Sequence, residues 1–280
     1  MKLIITKIQI LLVTFVLQGV GSAQQKTLAE ARLVVDSYSI PKDSIISIGV
    51  LVTLKDDWHI YWKNPGDSGI PTEIEFRLPH GIANSEIEFP IPEVIASDDI
   101  INYGYEHQVL FISNLKIPKL LKSKDLNISA KITSLICKDI CKVFDTTMNI
   151  NIDLSKNYLA NLEVSQLFDL TRKSLPQKNH NLKINAVSKS DLVYLKLIDD
   201  KNLKEHNIQF LSYDTGVFKN SATQNIVRSE NFIEIILASD PFRVKNPDFI
   251  NGIIILEKID ISNNTKEAFE ISLPIKFRGI

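Results

Sequence analysis

Residues 126–154 read LNISAKITSLICKDICKVFDTTMNINIDL, and apolar and polar side chains alternate along most of this segment. Alternation with a period of two is typical of a β-strand that has one face on a hydrophobic core. The alternation is interrupted at Lys138-Asp139-Ile140, which favours a turn between two antiparallel strands. We therefore expect a β-hairpin with the only two cysteines of the chain, Cys137 and Cys141, at its tip.

Placing Cys137 opposite Cys141 fixes the register of this hairpin, and one face then becomes mostly apolar. The apolar face carries the pairs Ile128–Ile150, Ala130–Met148 and Ile132–Thr146. The other face carries the pairs Asn127–Asn151, Ser129–Asn149, Lys131–Thr147 and Thr133–Asp145. Since the cysteines belong to the polar face, we expect both to point away from the core at an accessible tip. A three-residue loop favours glycine at its last position, where Ile140 stands, so a wider loop or a bulge is the alternative.

The spacing of the cysteines allows three roles. On one straight strand their Cα atoms would lie about 13 Å apart, whereas a disulfide needs about 7 Å or less, so the bond requires the turn. The pair can be redox-active and exchange with a partner, and Lys138 and Lys142 would then favour a thiolate. It can instead be a structural staple, although closing so short a loop stabilises the fold by only about 2 kcal/mol. Two thiolates could also bind Cu(I), which prefers sulfur ligands.

The same alternation extends over the rest of the chain, with one exception. Between residues 157 and 174 the apolar positions are spaced closer to the helical period, and Pro176 follows. Short strands with turn signals between them indicate β-sandwiches on both sides of this segment. We expect an all-β protein with domains at 24–156 and 177–280, joined by a short helical connector at 157–176.

Residues 1–23 have the pattern of a secretory signal peptide. A basic start with Lys2 and Lys7 precedes an apolar run, and small residues follow at Gly21-Ser22-Ala23. An uncleaved N-terminal anchor is the alternative. After cleavage, no later apolar stretch is long enough for a membrane span, so we expect no stable membrane insertion. The mature protein would lie in an oxidising compartment such as a bacterial periplasm, where disulfides form.

Charge and motif composition exclude other function classes. Lys and Arg total 32 and Asp and Glu total 33, a balance without the basic surface of a nucleic-acid-binding protein. The ten glycines form neither a G-x-G-x-x-G nor a P-loop motif, which argues against nucleotide binding by those motifs. The five histidines lack metal-site spacing. We expect no cofactor other than the disulfide, with copper as the weaker alternative.

Three motifs together resemble a known family. They are Trp58-His-Ile-Tyr-Trp-Lys-Asn-Pro-Gly-Asp-Ser-Gly69, then Phe89-Pro-Ile-Pro92 followed by Tyr103-Gly-Tyr105, and finally Cys137-Lys-Asp-Ile-Cys141. In this order they are similar to the N-terminal periplasmic region of DsbD-type membrane thiol-disulfide reductases, especially the suppressor-of-copper-sensitivity branch. The resemblance is strong over residues 50–145. It departs from the family pattern at Lys142-Val143, where an aliphatic residue and proline are common.

The resemblance implies an immunoglobulin-like fold for the sandwiches and a redox couple at Cys137 and Cys141. The protein would then be a thiol-disulfide oxidoreductase that shuttles electrons from a membrane-embedded reductase to periplasmic thioredoxin-like proteins. The membrane and thioredoxin domains of the family do not occur in this sequence, so we expect a stand-alone chain with its reductase in trans. A non-enzymatic β-sandwich module that binds a protein or copper, with a structural disulfide, is the alternative.

The first motif contributes further candidate site residues. Trp58, Ile60 and Trp62 share one face of a predicted strand, while His59 and Tyr61 share the other. The tryptophans are core candidates, but parts of the motif could also cap the cysteines. Tyr103, Tyr105 and Glu106 also allow two interpretations. They can line the site, or they can be ordinary hairpin residues.

Overall fold

A computed structural model describes residues 27–39, 45–118, 121, 123–178, 181–198, 203–258 and 265–277. The proposed signal peptide, residues 1–23, lies outside the described residues. The first ten strands are β1 Ala29–Val35, β2 Ile45–Leu54, β3 His59–Gly66, β4 Glu73–Arg77, β5 Ala83–Asn84, β6 Glu93–Ser97, β7 Ile100–Glu106, β8 Gln108–Lys116, β9 Asp125–Cys137 and β10 Cys141–Asp153. Helix α1 spans Leu162–Lys173. The remaining strands are β11 Ile184–Lys189, β12 Leu192–Ile198, β13 Asn207–Ser212, β14 Asn225–Arg228, β15 Phe232–Ala238, β16 Phe249–Lys258 and β17 Thr265–Phe277, and a 3₁₀ turn lies at Leu203–Glu205.

The first ten strands form two antiparallel sheets that pack face to face. One sheet has the order β1-β2-β8-β5, and the other has the order β10-β9-β3-β7-β6 with β4 also paired to β9. Alternate side chains of both sheets meet in one core, as expected for a sandwich. The buried residues of this core include Ile48, Val50, Val52, Ile60, Trp62, Phe111, Ile128 and Ile132. We call this unit the first sandwich.

Helix α1 is fixed on the outer face of the four-stranded sheet. Its N-cap residue Asn161 accepts a hydrogen bond from the Val164 amide, which satisfies a free donor of the first turn. Phe168 is fully buried and belongs to a small apolar cluster with Leu51 and Leu110 of the sheet. The connector is therefore packed against the first sandwich along its length.

The last seven strands form the second sandwich, in the order β13-β16-β17-β11-β12-β15-β14. Strand β17 links its two layers, because residues 265–274 pair with β16 and residues 275–277 pair in parallel with β11. The core between the layers contains Leu195, Phe210 and Ile254. The prediction of an all-β fold with two immunoglobulin-like sandwiches and a helical connector is confirmed.

The hairpin of β9 and β10 has the predicted register. Cys141 pairs with Cys137, and the pairing continues without a shift to Asp153 and Asp125 at the open end. Lys138, Asp139 and Ile140 form the turn. Strand β10 lies at the edge of its sheet among the described strands, so the cysteine pair lies at a corner of the first sandwich.

Candidate functional site

Cys137 and Cys141 form a disulfide at the hairpin tip, with their Cα atoms 4.1 Å apart. The two residues differ sharply in exposure. Cys141 is exposed, and so are its neighbours Ile140 and Val143, which are 61% and 73% exposed. Cys137 is only 2% exposed. The expectation that both cysteines are accessible is therefore wrong for Cys137, because another part of the chain covers this end of the polar face.

The covering residues come from strand β3. His59 pairs with Cys137 and Ile60 pairs with Ile136, so His59 and Tyr61 lie on the disulfide side of the sheet. The Tyr61 hydroxyl donates a hydrogen bond to Cys137 Sγ at 3.2 Å and lies 4.0 Å from Cys141 Sγ. The site is therefore an asymmetric disulfide, with one sulfur held under a tyrosine and the other at the surface.

The turn after β3 holds the Tyr61 ring in place. Gly69 has a positive φ of 92°, and a Cβ atom there would lie 2.3 Å from the tyrosine ring. Only glycine fits both conditions. Thr72 donates a hydrogen bond to the Tyr61 carbonyl and also contacts the hydroxyl of Ser134 on β9 at 2.8 Å. Tyr61 is thus fixed from the turn and from the strand that carries Cys137.

Burial controls the protonation of the tyrosine and histidine beside the disulfide. It raises the pKa of Tyr61, with a smaller opposing effect from Ser68, so this hydroxyl remains a donor at neutral pH. Burial also lowers the pKa of His59, although the Glu106 carboxylate works against it. The Nε2 atom of His59 has no hydrogen-bond partner among the described residues. A neutral imidazole therefore lies beside the disulfide.

Lys138 in the turn pairs with an acidic residue that directly precedes the first motif. Lys138 Nζ lies 2.7 Å from Asp57 Oδ2, and this hydrogen bond raises the pKa of Lys138. Asp57 itself has a positive φ of 67° in the tight turn before β3. The Lys138 ammonium group thus forms an ion pair with Asp57. The hydrogen bond to Cys137 comes from Tyr61 and not from this lysine.

The other predicted site residues divide by strand parity. Glu106 pairs with His59 and lies on the disulfide side. The four remaining aromatic residues lie in the core: Trp58, Trp62, Tyr103 and Tyr105. Sequence reasoning missed Asp57, Thr72 and Ser134, and it included Gly69 only as part of the first motif. The turn sequence Asn64-Pro-Gly-Asp-Ser-Gly69 carried a signal for Gly69, since glycine marks turns with positive φ.

In the described part of the chain, no group of three or more His, Cys, Asp or Glu side chains is arranged so that it could hold a metal ion. The sulfurs of Cys137 and Cys141 are bonded to each other and offer no thiolate to a metal in this form. Copper binding by the reduced pair stays a prediction.

We expect Tyr61→Phe to shift the thiol-disulfide equilibrium toward the disulfide by about tenfold, since a hydrogen bond to a charged group contributes about 1.5–3 kcal/mol. The hydroxyl stabilises the Cys137 thiolate of the reduced form more than it stabilises the neutral disulfide sulfur. The measurement is the reduced fraction in glutathione buffers of known ratio.

The matched control for this variant is Tyr105→Phe. Its hydroxyl also makes a buried hydrogen bond, to the Pro90 carbonyl, but on the core side of the sheet. We expect Tyr105→Phe to lower stability without changing the redox equilibrium. Equal equilibria for wild type and Tyr61→Phe would show that the hydroxyl does not stabilise the thiolate.

Comparison with known proteins gives a family match over part of the chain and a similar fold. Residues 25–151 match the sequence profile of the family described as "Thiol:disulfide interchange protein DsbD, N-terminal". The structure is similar to the N-terminal periplasmic domain of ScsB from Proteus mirabilis, at 16% identity and a TM-score of 0.59, over 88% of this chain and 92% of that one. The Actinomyces fimbrial adhesin FimA aligns over 89% and 98% of the two chains, but at 8% identity and a TM-score of 0.25, too low for any conclusion. No curated protein matches the chain.

Proposed function

We propose, from the premise that residues 25–151 form an N-terminal domain of the DsbD type, that this protein transfers electrons by thiol-disulfide exchange through Cys137 and Cys141. The observation that carries the proposal is the asymmetry of the disulfide. Cys141 lies at the surface, while Cys137 is buried under a hydroxyl donor 3.2 Å from its sulfur. One sulfur is accessible to attack, and the other is prepared to leave.

Reduction begins at the exposed sulfur. A thiolate of a reduced partner attacks Cys141 Sγ, a mixed disulfide forms between the two proteins, and the Cys137–Cys141 bond breaks. Cys137 Sγ takes the electron pair and leaves as a thiolate, which the Tyr61 hydroxyl stabilises. The second thiol of the partner then attacks its own sulfur in the mixed disulfide. This step releases the Cys141 thiolate and leaves the partner as a disulfide, so two electrons have moved.

The reduced pair passes these electrons on by the reverse sequence. The Cys141 thiolate attacks the disulfide of an acceptor and forms a second mixed disulfide. Cys137 then attacks Cys141 Sγ and releases the acceptor as a dithiol, with protons taken from water. Burial of Cys137 suits this resolving role, because the partner never needs to reach it.

A purely structural role fits the hairpin less well. The β9–β10 pairing runs the full length of both strands, so the tip is already closed by backbone hydrogen bonds. A disulfide across a loop of three residues removes little additional chain entropy, about 2 kcal/mol at most.

The similarity to the DsbD N-terminal family suggests the class of partner. We propose that a membrane-embedded reductase acts as the electron donor in trans, and that thioredoxin-like proteins of the periplasm act as acceptors. Periplasmic localisation belongs to the same proposal, and the Cys137–Cys141 disulfide supports it because disulfides form in oxidising compartments. Among the described residues, no helix is long and apolar enough to cross a membrane.

A redox titration tests the proposal. The full chain is equilibrated in glutathione buffers, free thiols are alkylated, and the reduced fraction is read by mass. We expect a potential above about −300 mV, in the range of exchangeable pairs. A lower potential would contradict the shuttle function and favour the alternative, a binding module with a structural disulfide.

A further inference from the structure

The first motif continues past the disulfide into the contact between the two sandwiches. Asn64 lies two residues after Trp62 on β3 and is only 1% exposed. Its side-chain amide donates to the Ser212 carbonyl at 2.8 Å and to the Asp214 carbonyl at 3.3 Å. A buried amide without such partners would cost free energy, so this end of β3 depends on the second sandwich for its hydrogen bonds.

Neighbouring residues of β3 contact the same segment of the second sandwich. The centres of the Trp62 and Tyr213 rings lie 5.5 Å apart. Lys63 Nζ lies 3.9 Å from the centre of the Tyr213 ring, a distance at which a cation is attracted to the ring face. The Tyr213 hydroxyl donates to Glu270 at 2.8 Å. Strand β3 therefore carries Tyr61 toward the disulfide at one end and is attached to the second sandwich at the other.

A second attachment reaches the turn that supports the Tyr61 ring. The Asn220 amide donates to Asp67 Oδ1 at 3.1 Å, and the Tyr103 hydroxyl donates to Asn220 Oδ1 at 3.4 Å. Asp67 lies two residues before Gly69, and Gly69 packs directly against the Tyr61 ring. A continuous path of contacts thus leads from Asn220 through the turn and Tyr61 to the sulfur of Cys137.

We propose that the second sandwich is a positioning element for the redox pair, and that Asn64 and Asn220 are its positioning residues. They touch neither sulfur. They hold β3 and its turn so that the Tyr61 hydroxyl stays within hydrogen-bond distance of Cys137. The proposal builds on the exchange function but concerns only the equilibrium between dithiol and disulfide, which needs no partner protein.

The test exchanges the donor and the acceptor of the hydrogen bond between Asn220 and Asp67. Asn220→Asp places a carboxylate against Asp67, and we expect the thiol-disulfide equilibrium to shift toward the disulfide by about three- to tenfold, the effect of one hydrogen bond. The double variant Asp67→Asn, Asn220→Asp restores a donor and an acceptor with the roles exchanged. We expect it to return the equilibrium to within about twofold of wild type. Equilibria are measured in dithiothreitol buffers, which also reduce stable structural disulfides.

The matched control is Asn185→Asp, the same substitution at an exposed position of β11 in the second sandwich. We expect it to leave the equilibrium unchanged. A merely structural role of Asn220 would lower the unfolding temperature and leave the redox equilibrium at its wild-type value, which would overturn the proposal. Failure of the double variant to restore the equilibrium would also overturn it. A low potential in glutathione would instead contradict the exchange function and leave this comparison valid.

Discussion

Cys137→Ser is expected to react readily with glutathione disulfide and to hold the adduct, whereas Cys141→Ser is expected to react at least about tenfold more slowly, because attack requires an accessible thiolate. In Cys137→Ser the remaining thiol is the exposed Cys141, and no neighbouring thiol can resolve the mixed disulfide. In Cys141→Ser the remaining thiol is buried below Tyr61. Mass spectrometry over time gives both rates.

The control for this comparison is the same pair of variants in denaturant. There the two thiols have equal access, so the rates should converge, and any difference in the native state is then due to the fold. Trapping on the proposed partner type follows the same pattern, with an oxidised thioredoxin-like protein in place of glutathione disulfide. Faster adduct formation by Cys141→Ser would reverse the assigned roles of the two cysteines.

Gly69→Ala is expected to affect both stability and redox chemistry. The new methyl group would lie 2.3 Å from the Tyr61 ring, and φ is 92° at this position. The conformation alone costs about 1–2 kcal/mol for a residue other than glycine, and displacement of the ring adds about 1–3 kcal/mol. Because the displaced tyrosine loses its hydrogen bond to Cys137, the equilibrium should shift toward the disulfide as in Tyr61→Phe.

Gly216→Ala separates the two effects. Gly216 also has a positive φ, of 65°, but a Cβ atom there would meet nothing within 4 Å. We expect this variant to lose only the conformational part of the stability and to keep the wild-type redox equilibrium. Denaturant unfolding of the oxidised form and glutathione titration measure the two quantities. If Gly69→Ala and Gly216→Ala have the same equilibrium, contact with Gly69 does not position Tyr61.

Strand parity explains why much of the fold could be predicted from the sequence. The register of β9 and β10 follows from a single constraint, Cys137 opposite Cys141, because any slip by one residue would turn Ile128 and Ile132 toward solvent. The same rule separates His59 and Tyr61 from Trp58 and Trp62 on β3. These are local properties of an alternating chain.

The alternation of side chains along a strand could not predict which residues cover each face of the sheet. The polar face at Cys137 is closed by Tyr61 and by a turn that returns over the ring, a contact between residues 76 positions apart in the chain. The contacts of Asn64 and Asn220 with the opposite sandwich join residues that are even farther apart in the sequence. No periodic pattern in the sequence indicates them. Such contacts depend on how the folded sheets pack against each other. The alternation of apolar and polar residues along one chain carries no information about that packing.

The position of the disulfide at the last pair of the longest hairpin has a consequence for how partners tell the two redox forms apart. Backbone pairing runs from Cys137–Cys141 to Asp125–Asp153, so we expect the surface around the disulfide to keep its shape when the sulfur bond opens. If the proposed exchange function holds, we expect donor and acceptor to dock on this same surface and to compete for it. The direction of net electron transfer would then depend on the relative potentials and concentrations of the two proposed partners.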